Sequence, residues 1–281
     1  MKLSRLALAV ALLPGVQVFA AEQELPSMRI TSARQAEPRA QATAANTVFT
    51  RADIERLQAR SVPELLRRVP GVQVSSPGGV ASLSLRGTGT AQTLVLVDVQ
   101  RIASATSGFA RLDYLAIDNI ERVEVIRGPR SSLYGADAIG GVIQIFTRGG
   151  KTGINPEVRL AAGSDQTFQR SLSLAAGTEQ TRVHLGASLD ERDGFDITRD
   201  NRGADQDNDG QRNKALHLKL DHQFDANWKA GLSLNDQRGK NEYDDANDFE
   251  PGTPQDEFRV SSYSGYLDGQ LTDMWNSRLE L

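Results

Sequence analysis

Residues 121–145 read Glu-Arg-Val-Glu-Val-Ile-Arg-Gly-Pro-Arg-Ser-Ser-Leu-Tyr-Gly-Ala-Asp-Ala-Ile-Gly-Gly-Val-Ile-Gln-Ile. Two β-type runs, Val123–Ile126 and Val142–Ile145, flank a turn-rich segment. Gly128-Pro129 ends the first run, because proline cannot donate to a ladder and glycine permits a reversal. The small residues from Gly135 to Gly141 let backbones approach closely. Composition alone leaves this as one β-turn-β unit of an α+β domain.

The segment before it has capped helices followed by strands. Thr50-Arg51-Ala52-Asp53 has the form of a capping box and opens a helix through about Ala59. Ser61-Val62-Pro63-Glu64 is a second box with proline in the first turn; Leu65, Leu66 and Val69 face inward, and Pro70-Gly71 stops the helix. Val72-Gln73-Val74 begins a strand, Ser82–Gly87 alternates with period two, and Leu94–Val97 is a continuous apolar run suited to a buried strand. Val99-Gln100 follows Asp98, and a β-branched residue there argues against a turn that needs positive φ.

The first twenty residues form a secretory signal peptide. Lys2 and Arg5 precede the short apolar core Leu6–Leu13, and Val18-Phe19-Ala20 places small residues before Ala21. No other run has the length of a transmembrane helix, so a membrane form must be a β-barrel. Residues 21–45 are polar and aperiodic and read as flexible, with an extended-prone patch at Met28–Ala33. The chain has no cysteine, which excludes disulfides and thiolate chemistry. Its net charge of −4 is split: residues 1–150 carry 17 basic and 12 acidic side chains, and the remainder carry 15 and 24. The basic half lacks basic–aromatic interleaving, which speaks against nucleic-acid binding.

After Gly150 the pattern becomes alternation. Val183, Leu185, Ala187 and Leu189 alternate with polar or small residues, as do Leu216, Leu218 and Leu220, and Trp228, Ala230, Leu232 and Leu234. Apolar-out, polar-in alternation, with short turns such as Asp225-Ala226-Asn227 set against long loops at 191–213 and 239–257, is the transmembrane-barrel pattern. The three histidines show no ligand pairing and read as wall or turn residues; no nucleophile or acid–base pair supports catalysis.

Asp205-Gln206-Asp207-Asn208-Asp209-Gly210 places carboxylates at alternate positions before a glycine, a pattern that can converge on a hard cation such as calcium. It is not an EF-hand, because position twelve is Leu216 and the flanks are strand-like. Further ligands are available in Tyr243, Asp244, Asp245, Asp248, Glu250 and Asp256. A solvated acidic surface is the competing reading.

The ordered string Ile126-Arg127-Gly128-Pro129, Leu133-Tyr134-Gly135, Ala138–Ile143 resembles the end of the plug domain in TonB-dependent outer-membrane receptors, most of all vitamin B12 transporters. Leu85-Arg86-Gly87 and Leu94–Asp98 match the same pattern, and the resemblance runs from the leader to about Asp256. It implies an α+β plug domain over 46–150, followed by antiparallel transmembrane β-barrel strands over 151–281. It also implies a TonB box at Pro26, Ser27, Met28, Arg29, Ile30, Thr31, Ser32 and Ala33 within the 21–45 segment. Cobalamin contacts are implied at Val80, Ser82, Gly89, Ser107, Gly108 and Asp245, and calcium ligands at Asp196, Asp205, Asp207, Asp209, Tyr243, Asp244 and Asp256, with Glu257 an alternative to the last. The implied function is TonB-dependent uptake of cobalamin into the periplasm, with TonB and its inner-membrane energy-transducing proteins as partners and outer-membrane lipid around the wall. A siderophore or haem receptor of the same build is the first rival, and a secreted calcium-binding β-protein the second. Six or seven candidate strands fall short of the roughly 22 of a closed barrel in this family, so a fragment is expected.

Overall fold

A computed structural model describes residues 29–30, 37–38, 44–75, 81–104, 108, 110–196, 208–243, 254–272 and 274–280. The signal peptide 1–20, Pro26–Met28, Thr31–Ala33, Val80, Ser107, Asp205, Asp207, Asp244 and Asp245 lie outside them. Within the 21–45 segment, β1 (Arg29–Ile30) pairs antiparallel with β2 (Glu37–Pro38). The plug begins at β3 (Ala45–Thr50), a strand that the sequence reading passed over.

Both predicted helices form. In α1 (Arg51–Leu57), Thr50 Oγ1 accepts from the Asp53 amide and Asp53 Oδ2 accepts from the Thr50 amide, so two orphan donors are satisfied reciprocally. The Thr50 hydroxyl also donates to Asp53 Oδ2, and this bond, with that from the Thr50 amide, holds the Asp53 carboxyl below its ordinary pKa. The helix ends at Leu57, two residues short of Ala59, because Gln58 turns left-handed at φ 52°. Ser61 caps α2 (Val62–Leu66), with Pro63 inside its first turn.

Strands β4 (Val72–Ser75) and β5 (Ser82–Leu85) form a separate hairpin. The main plug sheet adds β6 (Thr93–Val97), β7 (Gln100–Arg101), β8 (Ile120–Arg127) and β9 (Gly141–Thr147), in the order β3-β8-β9-β6-β7. Only the β6–β9 pair is parallel. Each face of this sheet is covered. Val95, Val123, Val125, Ile143 and Ile145 pack with Ile54, Leu65, Leu66 and Leu85 on one side, and Leu94, Leu96, Ile126 and Val142 pack with Ala138 on the other. That explains the unbroken apolar run in β6, since a strand buried on both faces has no solvent side to keep polar.

The connection after β8 is as compact as its small residues require. A short helix α3 (Ser131–Tyr134) ends at Gly135, and a Cβ on Gly140 would stand 2.0 Å from Thr88 Oγ1. The hairpin from β6 to β7 corrects the sequence reading. Val97 pairs with Gln100, so Asp98 and Val99 form a two-residue turn, and they adopt φ 46° and 74°. The fold imposes a turn of the kind that prefers Asn-Gly on a β-branched residue. Left-handed geometry costs an L-residue roughly 1–2 kcal/mol, and Val99 is 55% exposed, so it recovers little by packing. Val99→Gly is therefore expected to stabilise the plug by about 0.5–1 kcal/mol after glycine's greater unfolded-state entropy is deducted. A denaturant midpoint that falls on this substitution would contradict the strain argument.

The remaining strands form one consecutive antiparallel meander: β10 (Gly153–Ala162), β11 (Phe168–Gly177), β12 (Thr181–Arg192), β13 (Gln211–Gln223), β14 (Trp228–Glu242), β15 (Gln255–Thr272) and β16 (Trp275–Glu280). Pairing continues into segments read as loops, so the long connections shrink to 193–210 and 243–254. Residues alternate as expected. His184, Ala215, His217, Ser233 and Gln237 are buried toward the plug, while Leu160, Leu172, Leu185, Leu216 and Leu232 are exposed on the other face. No helix among the described residues is long and apolar enough to cross a membrane. A band of exposed leucines across consecutive strands is costly in water and matches a lipid-facing wall, which disfavours the soluble β-protein.

Candidate functional site: the seam between plug and wall

The surface where the plug sheet meets the inner wall is polar, and ion pairs bridge it. Asp98, at the strained β6–β7 turn, accepts from the Thr147 amide at 2.9 Å and from the Thr147 hydroxyl, and it pairs with Lys219 of β13 at 3.2 Å. Arg159 of β10 reaches Asp118 of the plug at 2.7 Å. Arg148 leaves the end of β9 almost wholly buried, pairs with Glu157 of β10 at 2.7 Å and donates to Ser173 of β11. Arg51 braces this region from inside the plug, donating to the carbonyls of Ile117 and Ile120 at 3.0 and 3.2 Å. Asn119 packs so closely on Gly186 of β12 that a Cβ there would stand 2.6 Å from Asn119 Oδ1. A side chain at that position would push the plug from the wall.

A second contact lies near the long connection that leads into β15. Tyr114 stacks on Phe258 of β15, ring centroids 3.1 Å apart, and its hydroxyl meets Asp256. Arg111 pairs with Asp256 at 2.7 Å and lies over the Tyr114 ring. Burial pushes the Asp113 carboxyl up, against the opposing effects of the Ala81 amide and Arg111. Burial, reinforced by the hydrogen bond to Asp256, raises Tyr114 as well. The phenol therefore stays protonated at any physiological pH and remains available as a donor.

All three histidines are wall residues, as the sequence reading has them, but two of them meet. His184 and His217 are fully buried on neighbouring strands, and their Nδ1 atoms are 3.0 Å apart. They pair across the β12–β13 ladder because Gly186 stands opposite His217, which leaves room for the imidazole of His184 one step away. His222 faces outward and bonds Thr181. Only the strand register brings the first two together; their separation in sequence carries no such signal.

Predicted site residues divide between several places. Arg29 and Ile30 of the TonB box lie in β1. Ser82 is in β5, and its hydroxyl donates to Ser75 O. Gly89 donates its amide to Gln92, while Gly108 (φ 75°) donates to Ser104 O. Thr90 and Gly108 line one small cleft. Among the acidic residues, Asp209 is buried and its amide bonds Phe195 O at 3.3 Å, which apposes it to the segment carrying Asp196. Asp196 Oδ1 is buried without a hydrogen bond to any described residue. Glu242, absent from the sequence candidates, joins them by accepting from the Gly210 amide at 3.1 Å. The Tyr243 amide donates to Pro254 O, and Asp256 is engaged by Arg111. Among the described residues, no three acidic or histidine side chains converge tightly enough to hold a metal ion.

Comparison with known proteins agrees with this architecture. Residues 38–142 match the family model described as TonB-dependent Receptor Plug Domain. Among solved structures, the ferripyoverdine receptor of the outer membrane of Pseudomonas aeruginosa superposes with a TM-score of 0.72 at 16% identity, over 90% of this chain and 35% of that one. A ferric enterobactin receptor from Pseudomonas aeruginosa gives 0.69 at 22% identity, over 85% and 40%. The ferric yersiniabactin uptake receptor from Yersinia pestis gives 0.65 at 21%, over 84% and 40%. The chain thus spans about two-fifths or less of the length of these structures. Residues 38–142 thus match a TonB-dependent receptor plug, and the antiparallel strands that follow have the fold of the barrel wall in these outer-membrane receptors.

Proposed function

We propose that the chain supplies the plug and wall strands of a receptor that takes up a ferric siderophore across the outer membrane, with TonB as the energy-coupling partner. The observation that carries this reading is the polar seam. A plug fixed to its wall by apolar packing would expose a large dry surface on moving. Ion pairs such as Arg159–Asp118 and Lys219–Asp98 can instead be exchanged for water at small net cost. Such a seam suits a plug that stays closed at rest and shifts under a pull on β1. The structures named above bind ferripyoverdine or are named for ferric enterobactin and ferric yersiniabactin, which favours a ferric chelate over cobalamin. Uptake of radiolabelled ferric siderophores and of cobalamin, compared in cells with and without the protein, tests the choice. Cobalamin uptake alone would reverse it.

Cobalamin remains the second reading, and the acidic loops favour it. Within that reading, calcium would be held by Asp196 and Asp209 together with Asp205, Asp207, Tyr243, Asp244 and Asp256. The buried, unmatched Asp196 Oδ1 fits a cation-binding role. The engagement of Asp256 by Arg111 reduces what that carboxylate can offer. Calorimetric titration is expected to show calcium binding that Asp207→Ala with Asp209→Ala removes. Unchanged binding in the double variant would place the ion elsewhere.

A further inference from the structure

Two imidazoles are shut in behind the plug, where no carboxylate is free to receive a positive charge. His184 of β12 and His217 of β13 are fully buried on the inner face of the wall. Their Nδ1 atoms lie 3.0 Å apart, within hydrogen-bond distance of each other. The Nε2 atom of each ring is buried as well and meets no hydrogen-bond partner among the described residues. A neutral imidazole has one N–H and one bare nitrogen. The contact therefore needs a single proton between the two Nδ1 atoms. One ring carries its hydrogen on Nδ1 and the other carries it on Nε2.

The charged groups around the pair are already engaged. Arg148 at the end of β9, Lys151 in the connection to β10, Glu157 of β10, Asp98 of the β6–β7 turn and Lys219 of β13 surround it. Glu157 is held by Arg148 at 2.7 Å, and Asp98 is held by Lys219 at 3.2 Å. Neither acid is left for an imidazolium, and Lys151 adds a further positive charge. The cross-strand neighbours on the flanking strands are Ala175 of β11 and Asn235 of β14, which carry no charge. From the plug side, Asn119 closes the site. A Cβ on Gly186 would stand 2.6 Å from Asn119 Oδ1 and 3.3 Å from His184 Cε1, so plug side chain, wall glycine and imidazole meet at one point. A ring that moves there presses on the plug.

We propose that His184 and His217 form an acid-sensitive latch between plug and wall, closed while both rings are neutral and released when both take up protons. A proton on each ring makes both Nδ1 atoms donors, which ends the hydrogen bond between them. It also sets two positive charges side by side next to Arg148 and Lys219. Parting the plug from β12 and β13 admits water to the rings and lets them charge as free imidazoles do. The closed contact is therefore complete above about pH 6.5, the ordinary imidazole value, and weakens as the pH falls below it. The latch rests on the meeting of plug and wall and is independent of which substrate is carried.

Urea unfolding of the plug in the detergent-purified receptor, followed at about pH 7.5 and about pH 5.5, tests this on either side of the imidazole value. Each ring that is neutral when docked and free to titrate when parted contributes up to roughly tenfold per pH unit below that value. The two together are expected to lower the docked-to-parted ratio by on the order of a hundredfold on acidification. The variant His184→Gln, His217→Gln keeps a hydrogen-bonding pair that stays neutral at both pH values, and its ratio is expected to fall by that much less. An equal fall in the parent and the folded variant overturns the proposal. A parent ratio that does not change with pH overturns it whether or not the variant folds. Nitrogen NMR of the unaltered receptor at neutral pH should show one Nδ1–H ring and one Nε2–H ring, and two rings of the same tautomer would also overturn the latch.

Discussion

Gly141→Ala is expected to unfold the plug or bring it close to unfolding. Gly141 is the first residue of β9, at the centre of the sheet, between Arg127 of β8 and Thr93 of β6. Its φ of 154°, on the positive side, is one that L side chains rarely adopt, so alanine incurs backbone strain of roughly 1–3 kcal/mol. The added Cβ would also stand 2.2 Å from Ile126 O and 2.5 Å from Leu85 Cδ2. Relief requires moving β8 or β5, both tied into the core, at about 1–3 kcal/mol more. The sum of about 2–6 kcal/mol is a large part of the 5–15 kcal/mol that holds a typical domain. Limited proteolysis should cut the variant within the plug under conditions that leave the parent whole. A thermal midpoint equal to the parent's would show that the carbonyl of Ile126 can give way.

Ile30→Pro is expected to abolish uptake while leaving ligand capture at the outer surface intact. β1 is two residues long, and among the described residues it pairs with Glu37 and Pro38 alone. A partner that recruits such a segment as an added strand depends on main-chain hydrogen bonds more than on side chains. Proline removes the amide of residue 30 and fixes its φ, so the ladder fails at its middle. Transport should fall to the level of cells lacking TonB, and Ile30→Val should restore it. Full uptake by the proline variant would remove residues 26–33 from energy coupling.

The polar seam and the capped plug differ in how much of them the sequence reveals. The caps of α1 and α2 could be read directly, because each uses partners three residues apart. Contacts of the seam join residues such as Arg111 and Asp256, 145 positions apart, and no local pattern distinguishes these charges from solvated ones. β3 was missed for a related reason. Ala45–Thr50 mixes small, polar and apolar residues with no clean period, and it becomes a strand because β8 offers it an edge. Val99 shows the opposite conflict: a sound local rule yielded to the global pairing of Val97 with Gln100.

By itself, the sequence determined the class of each half. The Arg-Gly-Pro turn with its small residues, the two capping boxes and the period-two alternation are local signals set by backbone sterics and by which face meets water or lipid. Tertiary structure alone decided the sheet order with its parallel β6–β9 pair, the His184–His217 contact and the lengths of β12 to β15. All of these depend on register between strands. A slip of one residue moves every side chain to the other face, and nothing within a single strand fixes which neighbour it will meet.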